Sequence, residues 1–347
     1  MKKLNVGIAG FGLSGQIFHA PIIRSIEGIE IVKVFSSNAQ KVKQHLPDAD
    51  VVSAFDDLLS DNAIDLVVIT TPNDTHYDFA KRSLIAGKHV VVEKPFVITS
   101  EEARDLMETA ALQNRVLSVY QNRRWDNDFL TVKRTVDSGV LGDIALYEAH
   151  YDRYRPEVTD RWREKEGPGS GMLYDLGAHL IDQALYLFGK PASVYADVFP
   201  QRIDSKVDDY FHIVLTYGKM RAILHSGSLV SKHGPRFQLH GSQGSFTKYG
   251  LDSQEDMLRQ GGTPGKADWG KDREEDYGEI THMINGRMIT EKVETLSGCY
   301  ECYYQGIYDA IMYNAPAPVR AEEALITIKV IELAMRSSVE KRTLPFE

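Results

Sequence analysis

Two groups of residues in this 347-residue chain combine reactive side chains with the spacing that an active site needs. The first is Glu93-Lys94-Pro95, which directly follows the apolar run HVVV, so two opposite charges stand where a buried strand should end. An ammonium group at that place could bind a substrate oxygen and stabilise a developing alkoxide. The alternative is a surface turn with a chance ion pair.

The second group is Asp175 and His179 in the segment GMLYDLGAHLIDQALYLFG. Residues four apart lie on one face of a helix. An imidazole titrates at about pH 6.5, so His179 could remove a proton from a substrate hydroxyl. Asp175 could then orient the imidazole ring or bind a neighbouring hydroxyl. A purely structural pair and half of a metal site are the alternatives. No third or fourth metal ligand is evident in the sequence, so no metal is predicted.

A glycine motif near the N-terminus supplies a third pattern. Gly10, Gly12 and Gly15 form G-x-G-x-x-G after an apolar strand and before a helix, which is the context of dinucleotide-binding βαβ units. The first glycine allows a tight turn, the second a close approach of pyrophosphate, and the third close packing of helix on strand. We predict dinucleotide binding, with a structural glycine turn as the alternative.

The end of the next strand indicates which dinucleotide is bound. NAD-binding domains usually place Asp or Glu there to hold the ribose 2′-hydroxyl, whereas this chain has Ser36 and Ser37, followed by Lys41. Small hydroxyls and a cation suit a 2′-phosphate, so NADP is predicted, with NAD as the alternative. The serines could instead cap the helix that starts near Asn38.

Another strand end is expected to contribute to the cofactor site. The turn Thr71-Pro72-Asn73 follows the strand DLVVIT, and ligands in open α/β sheets bind beyond the carboxyl ends of the strands. This turn should pass along the cofactor's ribose. His76 either contacts the cofactor or belongs to the cap region of the next helix.

The elements that position these residues change character along the chain. Up to about residue 120, apolar strands alternate with helices, which predicts a Rossmann-type parallel sheet covered on both faces. After that come longer, alternating strands interrupted by a helix over 173–188, which predicts an α+β domain with a large, mostly antiparallel sheet. Residues 252–295 are expected to form a long loop with a few short strands. We predict domains at 1–121 and 122–320, and a C-terminal helix at 321–347 that packs on the first domain.

The composition excludes several functions. The chain is 43% hydrophobic and 26% charged, as in ordinary globular proteins, and its net charge of -9 argues against nucleic acid and anionic membranes as partners. It has no apolar run long enough to span a bilayer. Glycines break the N-terminal apolar stretch, so we expect no signal peptide and a cytoplasmic location. Cys299 and Cys302 are predicted to be packed thiols rather than a zinc or redox pair.

The three motifs occur in one order that resembles a known family. Gly10-Phe11-Gly12-Leu13-Ser14-Gly15, Glu93-Lys94-Pro95 and Asp175-Leu176-Gly177-Ala178-His179 are similar to the glucose–fructose oxidoreductase/inositol dehydrogenase/MocA family. The resemblance covers nearly the whole chain. The segments YQNRRWDNDF, DRYRPEV and DRWRE resemble the branch of that family that oxidises scyllo-inositol with NADP.

The resemblance implies an active site in the cleft between a Rossmann domain and an open-faced sheet domain. It implies that Lys94 is the catalytic lysine, that Asp175 and His179 complete the catalytic group, and that Trp162 and Arg163 reach the cofactor. It also implies a homodimer or homotetramer formed through the open sheet faces. The expected cofactor-binding residues are Gly10, Phe11, Gly12, Leu13, Ser14, Gly15, Ser36, Ser37, Lys41, Thr71, Pro72, Asn73, His76, Glu93, Lys94, Asn122, Trp162 and Arg163.

The expected reaction interconverts a secondary alcohol and a ketone on a cyclitol or sugar by hydride transfer. Lys94, Arg124, Tyr154, Asp175 and His179 are the expected substrate-binding residues. Arg123, Trp125 and Asp152 also have side chains suited to a polyol. The alternatives are an aldose 1-dehydrogenase, a keto-sugar reductase or a biliverdin-type reductase, or a regulator that senses NADP without catalysis.

Overall fold

The computed structural model describes residues 3–160 and 164–347. The chain forms two compact units that are interleaved along the sequence. The first comprises Met1–Trp125, Gln254–Trp269 and Cys299–Leu325, and the second Asp126–Ser253, Gly270–Gly298 and Ile326–Glu347. The predicted domain boundaries at 121 and 320 stay predictions.

The strands fall into two sheets, one in each unit. They are β1 (Leu4–Ala9), β2 (Ile29–Phe35), β3 (Asp50–Val52), β4 (Leu66–Ile69), β5 (His89–Glu93), β6 (Leu117–Tyr120), β7 (Ile144–His150), β8 (Ser193–Phe199), β9 (Tyr210–Tyr217), β10 (Met220–Gly227), β11 (Phe237–Gly241), β12 (Gly244–Lys248), β13 (Gly278–Ile284), β14 (Arg287–Val293) and β15 (Leu344–Pro345).

Two of the helices are preceded by a π-helical turn, Ser14–His19 before the first and Leu173–Gly177 before the seventh. The α-helices are α1 (Ala20–Ile23), α2 (Ala39–His45), α3 (Phe55–Leu59), α4 (His76–Ile85), α5 (Ser100–Leu112), α6 (Asn127–Asp137), α7 (Ala178–Phe188), α8 (Gln254–Arg259), α9 (Glu301–Tyr313) and α10 (Ala321–Glu340). None of the described helices combines the length and the apolar character that a membrane span needs.

The sheet of the first unit is parallel and has the strand order β3-β2-β1-β4-β5-β6. This is the order of dinucleotide-binding folds, and their ligands bind where the order reverses, between β1 and β4. The central strands are runs of β-branched residues, and Val90, Val91 and Val92 have no exposed surface. Strands of this kind are typical of a parallel sheet with helices on both faces. The predicted Rossmann fold is confirmed.

The sheet of the second unit has nine strands in the order β14-β13-β12-β11-β7-β10-β9-β8-β15. Only the β7–β10 pair is parallel among its described pairings. Strand β9 alternates buried Phe211, Ile213 and Leu215 with half-buried His212 and Val214. The segment 173–188 packs on β9 and β10. The predicted mostly antiparallel sheet is therefore confirmed.

Several elements of the second unit were not predicted. Helix α6 and strand β12 were missed. Residues 252–295, expected to form a long loop with a few short strands, contain the seven-residue strands β13 and β14. The side chains of β14 are nearly all exposed, so its sequence lacks the apolar alternation that indicates a strand. The turn pair Asn285-Gly286, with φ of 50° and 78°, was the available signal, because two positive φ values favour the hairpin turn that Asn-Gly provides.

The C-terminal helix α10 is divided between the two units. Its residues up to Leu325 belong to the first unit and those from Ile326 onward to the second, and its packing on the first domain stays a prediction. The backbone N–H groups of Ala196 and Val198 in β8 donate to Ser337 Oγ at 3.0 Å and Ser338 Oγ at 2.9 Å. These hydroxyls satisfy backbone groups of a strand near the sheet edge, where unpaired groups promote aggregation.

The two cysteines were also predicted incorrectly. Cys299 and Cys302 form a disulfide at the start of α9, not a pair of packed thiols. The helical turn places their Cα atoms 5.4 Å apart, which is within the normal range for a disulfide.

Candidate active site

The glycine loop after β1 has the geometry that a dinucleotide needs. Gly10 has φ of 91°, and a Cβ there would lie 3.0 Å from Thr71 Cγ2. A Cβ on Gly15 would lie 3.0 Å from Gly10 O and 3.1 Å from Thr70 Oγ1. At Gly12, by contrast, no heavy atom of the described part of the chain lies within 4 Å of the Cβ position. The first and third glycines are required by the fold, and the second leaves open surface for a phosphate group.

The start of the following helix is fixed to this loop. Gln16 Nε2 donates to the carbonyl oxygens of Phe11 at 2.8 Å and of Gly12 at 2.9 Å. Phe11 is buried and Leu13 is about half exposed. The residues present therefore fit a bound dinucleotide whose phosphates lie on the helix N-terminus.

The sequence left open whether the serines at the end of β2 cap the next helix or are available to the cofactor. The side chain of Asn38 caps α2, because Asn38 Oδ1 accepts the N–H of Lys41 at 2.9 Å. Ser36 Oγ accepts the N–H of Asn38 at 3.2 Å, and Ser37 is exposed. The serines are thus not the cap of α2, and Ser37 and the side chain of Lys41 are accessible at the strand end.

His76 connects two loops of the candidate cofactor site. Its side chain is fully buried, with Nε2 3.0 Å from Thr71 O and Nδ1 2.9 Å from Pro95 O. Burial lowers the pKa of His76. Asn73 is also buried in the turn after β4. The placement gives His76 a positioning role between the β4 and β5 strand ends, and direct contact with a cofactor stays a prediction.

Glu93 and Lys94 lie at the carboxyl end of β5, and the peptide bond from Lys94 to Pro95 is cis. Glu93 Oε2 accepts the N–H of Lys94 at 2.9 Å. Ser14 Oγ donates to Glu93 Oε1, which also lies 3.0 Å from His19 Nε2. The glycine-loop helix and the lysine-bearing strand end are therefore joined through one carboxylate.

The charge state of Glu93 follows from these contacts. Burial alone raises the pKa of this carboxyl group, but the hydrogen bond and charge interaction with His19, the charge of Lys94 and the hydrogen bond from Ser14 outweigh it. The resulting pKa is about 2. Glu93 is consequently a buried anion at neutral pH, and its negative charge favours the charged form of Lys94.

His19 was not among the predicted site residues. It is fully buried, its Nδ1 lies 2.5 Å from Tyr304 Oη, and its ring centroid lies 4.2 Å from that of Tyr120. The available signal was its position four residues after Gly15, on the same face of the helix as that glycine. Tyr304 could not be identified in this way, because it lies 285 residues away in the sequence.

Asp175 and His179 lie on one continuous helical segment in the second unit. Asp175 is in the π-helical turn Leu173–Gly177, and His179 is in the first turn of α7 and is buried. Asp175 Oδ2 lies 4.0 Å from Arg153 Nη1. A Cβ on Gly177 would lie 2.7 Å from Leu173 Cδ1 and 3.5 Å from Phe211 Cε1, so this glycine allows close packing of the helical segment.

Asp208 anchors the start of this segment and was not predicted. Its Oδ2 accepts the N–H of Leu173 at 2.7 Å, and its carbonyl oxygen accepts the N–H of Met172 at 2.8 Å. Gly171 has φ of 90°, and a Cβ there would overlap Asp208 Oδ1. Burial raises the pKa of Asp208 to about 6, although backbone N–H groups act in the opposite direction.

The remaining predicted residues have other surroundings. Arg124 is buried with Nη1 2.9 Å from Glu323 Oε2, and Arg123 pairs with Glu255. Tyr154 is 58% exposed. Asp152 contacts His150 and His225. Asn122 is buried in a 3-10 turn over 122–125, and Trp162 and Arg163 lie outside the described residues.

Comparison with known proteins identifies the family. A model of the oxidoreductase family's NAD-binding Rossmann fold matches residues 4–121, and a model of its C-terminal alpha/beta domain matches residues 133–346. The chain belongs to the glucose–fructose oxidoreductase/inositol dehydrogenase/MocA family. The family predicted from the three motifs is confirmed.

Members of this family resemble the chain over its full length. Scyllo-inositol 2-dehydrogenase (NADP(+)) IolW from Bacillus subtilis is 48% identical over 347 residues, covering 100% of this chain and 97% of the relative. The uncharacterized oxidoreductase YdgJ from Escherichia coli is 45% identical, covering 99% and 98% of the two chains. The solved structure of the oxidoreductase YvaA from B. subtilis has a TM-score of 0.98 at 48% identity and covers 100% of this chain and 99% of its own. The chain is thus an oxidoreductase with a nucleotide-binding Rossmann domain.

Proposed function

We propose that this oxidoreductase is an NADP-dependent dehydrogenase that interconverts a secondary alcohol and a ketone on a cyclitol, with scyllo-inositol as the first candidate. The observation that carries the proposal is the lysine at the end of β5. Lys94 follows a buried anionic carboxylate that is also bonded to the glycine-loop helix. The name of IolW, a full-length relative at 48% identity, supports both the substrate and the cofactor.

The preference for NADP is supported by the end of β2. A carboxylate that could hold a ribose 2′-hydroxyl is replaced there by Ser36 and Ser37. Because Asn38 caps α2, the hydroxyl of Ser37 is not needed for the helix. A 2′-phosphate would accept hydrogen bonds from such hydroxyls and would be attracted by Lys41.

Lys94 would act on the substrate oxygen. Its ammonium group donates a hydrogen bond to the reacting hydroxyl and stabilises the negative charge that develops as the proton leaves. The anionic Glu93 favours the charged form of Lys94, and the buried His19 and the partly exposed Ser14 hold Glu93 in place. The cofactor, when bound, supplies the hydride acceptor.

His179 would take the hydroxyl proton, and the proposal requires it to act on the same substrate as Lys94. An imidazole is suited to this step because its two protonation states are both accessible near neutral pH. Asp175, one helical turn before it, would bind a neighbouring hydroxyl, with Arg153 4.0 Å away to orient the carboxylate. In the reverse direction His179 returns the proton.

The proposed function is tested by measuring the formation of reduced cofactor with purified protein. Scyllo-inositol, myo-inositol, glucose, galactose and xylose would each be offered with NADP and with NAD. We expect the highest kcat/KM with scyllo-inositol and NADP. Tight NADPH binding without turnover on any of these compounds would contradict the proposal and favour a regulator or another substrate.

The homodimer or homotetramer stays a prediction, which light scattering would test.

A further inference from the structure

Three side chains with metal-binding atoms meet on the nine-stranded sheet and take no part in the proposed reaction. His150 ends β7, and His225 is its register partner on the parallel strand β10. Asp152 follows two residues after His150. All three are partly exposed, on the face of β7 opposite the fully buried Tyr147 and Ala149. The three side chains each offer one ligand atom, and these atoms lie within 4.8 Å of one another.

The carboxylate of Asp152 lies between the two rings. Its Oδ2 is 3.4 Å from His150 Nδ1, and its Oδ1 is 3.3 Å from His225 Nε2. Hydrogen bonds between N–H and O have a usual length of about 2.9–3.0 Å, so both separations are long for direct hydrogen bonds. In a tetrahedral zinc site with bonds of about 2.0–2.1 Å, neighbouring ligand atoms are about 3.3–3.4 Å apart. Each imidazole nitrogen lies at about that distance from one carboxylate oxygen of Asp152, a different oxygen for each ring.

We propose that His150, Asp152 and His225 bind one divalent transition-metal ion, with Zn²⁺ as the reference ion. Two imidazole nitrogens and one carboxylate oxygen are ligands typical of zinc and its neighbours in the first transition row, and they do not suit Mg²⁺ or Ca²⁺, which prefer oxygen ligands.

The surroundings of the three residues support this role. The backbone N–H of Gly227 donates to Asp152 Oδ1 at 3.2 Å, which orients the carboxylate as second-shell hydrogen bonds do in metal sites. His225 also lines a surface cavity of about 550 Å³ together with Phe199, Tyr210 and Leu229. Three protein ligands leave a fourth position, and the cavity gives water or a small ligand access to it.

Within the second unit, the three proposed metal ligands are different residues from Asp175 and His179. Arg153 lies near Asp175, and its guanidinium is 5.3 Å from the ring of the buried Tyr151. The neighbouring residue Asp152 instead contacts the two histidines. Metal binding is therefore expected to leave hydride transfer intact, and the two proposals can fail independently.

The test is metal binding by the full chain after removal of metals with a chelator. Equilibrium dialysis against Zn²⁺ with elemental analysis should give one ion per chain at this site. We expect His150→Gln and His225→Gln to weaken Zn²⁺ binding by about tenfold or more. His240→Gln is the matched control, because His240 lies on β11 of the same sheet and is bonded to Ser245 instead. It should bind Zn²⁺ as the wild type does.

A second measurement keeps the proposal falsifiable if a variant does not fold. Co²⁺ added to the metal-free wild type should give the intense visible bands of a four-coordinate site. A weak spectrum like that of the hydrated ion would overturn the proposal. Equal Zn²⁺ affinity in the wild type and a folded His225→Gln variant would overturn it as well, since the binding would then be due to other histidines. NADPH binding by each variant reports whether it is folded.

Discussion

His19 Nε2 lies 3.0 Å from Glu93 Oε1, so the helix that follows the glycine loop is tied to the strand that ends at Lys94. Both side chains are largely shielded from water. One buried hydrogen-bonding contact therefore joins the expected cofactor loop to the strand end that bears the expected catalytic lysine. Because Glu93 is anionic, its negative charge favours the charged form of Lys94.

Glu93 should contribute stability that depends on pH. Because its pKa is lowered from 4.5 to about 2 in the folded chain, the contribution is complete above about pH 4.5 and is lost as the pH falls through about 2. The shift corresponds to about 3 kcal/mol. Glu93→Gln should lower the free energy of unfolding by about 3 kcal/mol at pH 7. In denaturant titrations, the difference from wild type should shrink as the pH falls below about 4.5. Glu101→Gln, an exposed carboxylate on α5, is the control. A difference independent of pH would contradict the assignment.

Asp208 should show the opposite dependence. Its pKa is raised from 3.8 to about 6 by burial, so stability is greatest with the carboxyl group protonated and falls as the pH rises through about 6. Asp208→Asn removes this titration while keeping an oxygen that can accept the N–H of Leu173. The free energy of unfolding of wild type relative to this variant should fall by up to about 3 kcal/mol between about pH 4 and pH 7.

Denaturant titrations across that range check the Asp208 prediction. Asp204→Asn, an exposed position in the same loop, should follow the wild type at every pH. Parallel curves for wild type and Asp208→Asn would show that burial does not raise this pKa.

Gly12 should matter for cofactor binding and not for folding. Because a Cβ there meets no atom of the described chain within 4 Å, Gly12→Ala should change the free energy of unfolding by less than about 0.5 kcal/mol. The methyl group would occupy the approach of the pyrophosphate, so the Kd of NADPH should rise by about tenfold or more. Fluorescence titration measures the Kd. Gly10→Ala is the contrast, because its φ of 91° makes the variant unstable. Unchanged NADPH affinity in Gly12→Ala would remove this glycine from the cofactor site.

Ser36 should decide between the two dinucleotides. A carboxylate at this position would repel a 2′-phosphate and accept a hydrogen bond from a 2′-hydroxyl. Ser36→Asp should lower the ratio of kcat/KM with NADP to that with NAD by about tenfold or more. Ser36→Ala removes the hydroxyl without adding charge and should change the ratio less. A ratio that is the same in all three proteins would place the 2′-phosphate elsewhere.

The parts of the site that lie next to each other in sequence could be predicted, because strand ends and turns depend on local residues. Strand β5 runs from His89 to Glu93 as predicted, and the Rossmann order follows from alternating elements. The partners of these residues could not be predicted. His19 meets Tyr304, and Leu173 meets Asp208, only after the chain has folded.

The errors have physical causes as well. Strand β14 is nearly all exposed, so its backbone pairing with β13 rather than an apolar pattern defines it. The disulfide between Cys299 and Cys302 depends on the local geometry at the start of α9. The C-x-x-C spacing was the available signal, but packed thiols were preferred over it. Asp152 was grouped with polyol-suited residues because of its type, which stays a prediction. Its contacts with two histidines on adjacent strands could not be predicted from the sequence.

The central claim is that Lys94 is the catalytic lysine of a dehydrogenase, and Lys94→Met tests it most directly. Methionine keeps the length of the side chain and removes its charge. With scyllo-inositol and NADP, kcat should fall by about a hundredfold to a thousandfold, while the Kd of NADPH, measured on the same preparation, should change far less. Lys94→Arg should retain more activity than Lys94→Met because it keeps a positive charge. If Lys94→Met keeps the wild-type kcat, the account of this site is wrong.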